Sequence, residues 1–136
     1  MNLAKVRKAL AKTIATNMNV STSWFVSDNP TAPQIIVLPD PGDDACTFEH
    51  NVHLRMVLKC LAKGKTAEEA QMLLDGWLSV DDGTRSNVAD VIEADSTLGG
   101  IVQSATVTGW RNYGVTLLPD GGVRYWSADV LVDIYA

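Results

Sequence analysis

The sequence predicts an α+β domain, a twisted and mostly antiparallel sheet of about five or six strands with helices packed on one side. Three observations carry this expectation. A helical pattern comes first, then strand patterns, then two helices, then strands again, unlike the regular βαβ alternation of a parallel sheet. Two stretches, 52–60 and 126–134, alternate in the way of strands with one covered and one solvated face. No repeat, low-complexity run or linker divides the 136 residues, so 1–136 reads as one domain, large enough for a substantial hydrophobic core.

Residues 3–16 read as a helix. Leu3, Val6, Leu10 and Ile14 share one stripe at spacings of three and four, and Lys5, Lys8 and Lys12 lie off it. Weak alternation through Val20, Thr22, Trp24 and Val26 suggests a short strand, and Pro30 and Pro33 mark 28–33 as a turn. The β-branched run 34–38 is a strand, and Pro39-Asp40-Pro41-Gly42-Asp43-Asp44 is the strongest loop signal. From about Phe48 to Leu61 the chain is a strand with Val52, Leu54, Met56, Leu58 and Cys60 on one face. His53, Arg55, Val57 and Lys59 occupy the other, wet face.

Lys63-Gly64-Lys65 turns the chain into Thr66-Ala67-Glu68-Glu69, a capping box in which hydroxyl and carboxylate satisfy free amides at the helix start. The helix runs to about Leu78 and should bury Ala70, Leu73, Leu74, Trp77 and Leu78. Asp81-Asp82-Gly83-Thr84 is a loop, and 87–95 a second helix capped by Asn87 with Val88, Val91 and Ile92 inward. Gly99-Gly100 permits a sharp turn into a strand at 102–110. Pro119-Asp120-Gly121-Gly122 closes a hairpin between 115–117 and 123–125. In the last strand Trp126, Ala128, Val130, Val132 and Ile134 form the core face. Asp129, Asp133 and Tyr135 point outward, so Asp133→Val should be tolerated.

A formal charge of −5 gives no long-range attraction to nucleic acid or to an anionic membrane. Lys5, Arg7, Lys8 and Lys12 form the one basic set, read as the solvated face of the first helix. No apolar run reaches the length of a membrane span. The first helix lacks the apolar centre of a secretory signal, so Cys46 and Cys60 are expected as free thiols in a reducing compartment.

Cys46, Glu49, His50 and His53 have metal-ligand chemistry, but their spacing matches no zinc pattern, and His50 and His53 would face opposite ways on a strand. Asp40, Asp43 and Asp44 lack the ligand spacing of a calcium loop and read as a solvated acidic loop. Cys60, on an apolar strand face, reads as an inert small hydrophobe. No nucleophile elbow, dinucleotide fingerprint or phosphate loop is present, so no catalytic residue, metal or cofactor is assigned and no enzyme is expected. The aromatic residues of the C-terminal third are more suggestive. Trp110, Arg111 and Tyr113 beside a turn are of the types enriched at interface centres, with a structural aromatic cluster as the competing reading. The candidate interface set adds Asp40, Asp43, Asp44, Phe48, Asp120 and Arg124.

The chain resembles the tail terminator (tail-completion) proteins of long-tailed bacteriophages. The resemblance covers most of its length. It rests on the N-terminal amphipathic helix, the strand Pro33-Gln34-Ile35-Ile36-Val37, the amphipathic strand 52–60 and the helix 66–78. Its sharpest element is Asp95-Ser96-Thr97-Leu98-Gly99-Gly100-Ile101-Val102 leading into Ala105-Thr106-Val107, followed by the alternating C-terminal strand. The resemblance implies a virion protein assembled in the host cytoplasm. It implies a homo-hexameric ring on the head-proximal end of the tail tube, which halts tube polymerisation and joins the connector on the head side. Genomic DNA would pass through without specific binding, and like charge on an acidic ring would keep it from sticking. Another neck component, such as a head-tail adaptor, and an unrelated small-ligand or enzyme domain remain the alternatives.

Overall fold

A computed structural model describes residues 2–18, 20–25, 33–39, 53–80, 87–117 and 124–135. Helix α1 (Leu3–Asn17) is followed by strands β1 (Ser21–Ser23), β2 (Gln34–Pro39) and β3 (His53–Ala62). Helices α2 (Ala67–Leu78) and α3 (Val88–Ala94) come next, and strands β4 (Ser104–Leu117) and β5 (Arg124–Tyr135) close the chain. The five strands form one sheet in the order β1-β2-β3-β5-β4. All its pairings are antiparallel except β1 with β2, which run parallel. This is the α+β fold read from the sequence. The separate strands expected at 102–110 and 115–117 are a single long one.

Each helix begins where its cap dictates. The Asn2 side chain accepts from the Lys5 amide at 3.2 Å. Thr66 Oγ1 accepts from the Glu69 amide at 3.2 Å, and Glu69 Oε2 reaches back to the Lys65 amide at 2.9 Å, one residue before the position a capping box anticipates. Asn87 is fully buried. It accepts from the Asp90 amide at 2.8 Å and donates to Asp90 Oδ2 at 3.0 Å. The entry to α2 also needs Gly64, where a Cβ would lie 2.7 Å from Glu69 Cβ and 2.8 Å from the Ala70 nitrogen. Gly64→Ala is expected to cost about 1–3 kcal/mol, because backbone as well as side chain must shift to admit the methyl. Urea denaturation of the variant measures this.

The core lies between the three helices and one face of the sheet. Val6, Leu10 and Ile14 of α1, Leu74 and Trp77 of α2, and Val88, Val91 and Ile92 of α3 meet Ile35 and Val37, the even-numbered residues of β3 from Leu54 to Ala62, and Ala128, Val130, Val132 and Ile134. The register explains the sharing, since Leu54, Met56, Leu58 and Cys60 stand opposite Ile134, Val132, Val130 and Ala128. Leu98 is buried at a φ of 51°, and the positive φ values of Gly99 and Gly100 carry the turn that leads to β4.

Three expectations about burial need correction. Leu3, in the first turn of α1, is exposed, and so is Leu73, at the margin of the stripe centred on Ala70, Leu74 and Trp77. The second sheet face is not uniformly wet, because Ile36, Val57, Leu61, Tyr125 and Ser127 on it are buried as well. Asp133 does lie on that face, but as a bound carboxylate. Its side chain is 14% exposed, and Oδ1 accepts from Arg55 Nε at 3.0 Å, its cross-strand partner. His53 stacks on Tyr135 at 4.7 Å, with Nε2 3.3 Å from the same oxygen but without hydrogen-bond alignment. The segment 48–52 of the expected third strand, the turn residues 28–32, and the loops 81–84 and 119–122 lie outside the described residues.

Candidate functional site

Strand β4 is one edge of the described sheet, and the other is the three-residue β1. Two irregularities shape β4. Between Val107 and Gly109 the strand carries one residue more than its partner, and between Arg111 and Gly114 it does so again. The first shifts the alternation, so that Trp110 rather than Gly109 stands opposite Val130 on the helix-covered face. The second sets Asn112 at a φ of 59°, a left-handed conformation that asparagine tolerates better than most residues. Asn112 Nδ2 then donates to Asp129 Oδ2 at 2.9 Å.

These shifts place Trp110, Tyr113 and Trp126 in a row, with ring centroids 5.8 Å apart for the first pair and 6.1 Å for the second. Tyr113 Oη donates to Asp75 Oδ1 at 2.7 Å and ties the strand to α2. Trp110 remains 53% exposed and Val115 47%, although both belong to the helix-covered face. Beside Trp110 lies a groove of about 260 Å³ whose walls include Leu78, Val80, Val107 and Val130. It adjoins a second groove of about 520 Å³ that shares Val80, Ala89 and Val107 and carries Asp90 and Glu93.

Of the residues singled out in the sequence, Trp110 and Tyr113 therefore share one surface. Arg111 does not, since it stands opposite Asp129 on the other face of the sheet. Arg124 opens β5, and Asp40, Asp43, Asp44, Phe48 and Asp120 lie outside the described residues, as do Cys46, Glu49 and His50. Sequence reading missed Asp75, Val80, Val115 and Trp126 as parts of this surface. No local pattern links Val80 to Val115, and Trp126, read onto the core face of the last strand, is partly buried there.

Burial, then the Asp129 charge, pushes the Cys60 thiol up to about 12, so it is a protonated core group at neutral pH. No group of three potential metal ligands occurs among the described residues. Desolvation, then the hydrogen bond to Asp75 and its negative charge, pushes the Tyr113 phenol up to about 12 from its usual 10.0. The folded chain thus holds this proton more tightly than the unfolded chain. The stability linked to Tyr113 is complete below pH 10.0 and is lost as pH rises through about 12. Phenolate absorbance in an alkaline titration should show one step near pH 12. Tyr113→Phe should remove that step, and Asp75→Asn should bring it down.

No helix of the described residues is long and apolar enough to cross a membrane. No protein-family model matches the chain, and no curated protein is significantly similar to it.

Proposed function

We propose that this chain is the tail terminator subunit of a long-tailed bacteriophage. In this reading six copies form a ring at the head-proximal end of the tail tube, where it stops tube growth and presents a joining surface to the connector on the head side. The protein is a structural component of the virion, the genome passes through the ring without specific contacts, and no catalytic step is involved. The observation that carries the reading is the 14-residue strand β4 at the edge of the described sheet, which leaves Val115 exposed and Trp110 exposed beside an apolar groove. An open edge with large apolar side chains is a liability for a solitary protein and suits a subunit whose neighbours cover it. The sequence resemblance supplies the kind of assembly.

Two measurements test this. Electron microscopy of purified tails should show a ring of this chain at the head-proximal end, and tails that lack it overturn the proposal. Trp110→Glu should lower the unfolding free energy by only about 1 kcal/mol, because the indole is half exposed and loses chiefly its contact with Tyr113, and should abolish ring formation. A variant that still forms rings would remove Trp110 from the interface.

A further inference from the structure

We propose that neighbouring copies of this chain join head to tail, the groove between α3 and β4 of one copy receiving the α1–β1 corner of the next. This rests on the ring reading and names its contact. The two surfaces lie over opposite edges of the same sheet, with α1 packed on β1 and β2, and α3 on β4. Each combines an apolar part with charge, and the charges are opposite. The groove carries exposed Val80 and Trp110 with Asp90 and Glu93. The corner carries exposed Phe25, packed edge-on against Trp24 at 5.5 Å, with Lys8 Nζ 4.7 Å and the Arg7 guanidinium carbon 5.6 Å from the Trp24 ring.

A symmetric pairing of groove with groove would set Asp90 and Glu93 against their own copies, and corner with corner would do the same for Arg7 and Lys8. Like charges so placed repel. Groove with corner pairs opposite charges and brings Phe25 toward the apolar wall beside Trp110. Such a contact joins unlike surfaces, so each copy keeps one of each free for the next, and the chain of contacts can close into a ring.

Charge reversal tests this without a tail tube. Lys8→Glu sets a carboxylate against Glu93 of the next copy, and Glu93→Lys sets an ammonium against Lys8, so each variant puts like charges together at that pair. Each variant alone is expected to self-associate about tenfold or more weakly than the parent chain in low-salt sedimentation. An equal mixture of the two should recover association, because each mixed contact pairs opposite charges at positions 8 and 93. Thermal melts of both variants establish that they fold. Carbodiimide coupling in the parent should yield an intermolecular Lys8–Glu93 link. Variants that associate like the parent, or a mixture no better than its parts, overturn the contact. So does a parent chain that stays monomeric up to about 1 mM, where even a weak contact populates. None of these outcomes decides whether a ring sits on the tail, which imaging of tails judges separately.

Discussion

Val132→Asp is expected to abolish the cooperative unfolding transition of this protein. Val132 is fully buried on the core face of β5, directly opposite Met56 on one side and Val107 on the other. A carboxylate there would have to ionise without water or stay protonated without a partner, and either costs several kcal/mol. Domains of this kind carry about 5–15 kcal/mol of net stability, and the lost valine packing adds about 1 kcal/mol or more to the penalty. The neighbouring change should behave differently. Asp133→Val removes a carboxylate that Arg55 and His53 share on the second face, at a cost of about 1–2 kcal/mol for a partly buried, hydrogen-bonded pair. Circular dichroism melts of the two variants should therefore rank Val132→Asp far below Asp133→Val. The reverse ranking would mean that β5 is displaced by one residue, because a single step exchanges the two faces.

What the sequence revealed follows physical range. The stripe Val6–Leu10–Ile14, the Thr66 and Asn87 caps and the alternation from Ala128 to Ile134 are local patterns, and all three appear in the structure as read. The partners of Asp133 were not legible, because Arg55 is 78 residues away and meets it only through the pairing of β3 with β5. The parallel pairing of β1 with β2 is nonlocal in the same sense, since no residue pattern states the direction of a neighbour. The two bulges of β4 hid the candidate surface. Strict alternation through 107–115 would group Val107, Gly109, Arg111, Tyr113 and Val115, whereas the register puts Val107, Trp110 and Val115 on the helix-covered face. Trp110 and Tyr113 could be singled out by type, but the groove beside Trp110 needs Val80 from just beyond α2, which only folding brings near.

Removing residues 129–136 is expected to leave no folded subunit at all, a larger effect than any single substitution. A last strand often forms the edge of a sheet, where its loss merely uncovers one neighbour. Here β5 is interior. It pairs with β3 from His53 to Ala62 and with β4 from Ser104 to Leu117. The deletion would take away the partners of residues 53–59 on one side and of 104–111 on the other. It would also remove Val130, Val132 and Ile134 from the core, each worth about 1.5–3 kcal/mol of burial. Residues 104–111 of β4 would then have no partner among the described strands, and the Gln103 amide would lose the Tyr135 carbonyl that it bonds at 2.8 Å. With Val107 and Trp110 on an unpaired stretch of β4, the shortened chain should aggregate rather than stay as a soluble unfolded monomer. Dispersed amide resonances and a cooperative melt in the truncated protein would show that β5 is not the strand on which the sheet depends. Collapsed resonances together with concentration-dependent aggregation are the expected result.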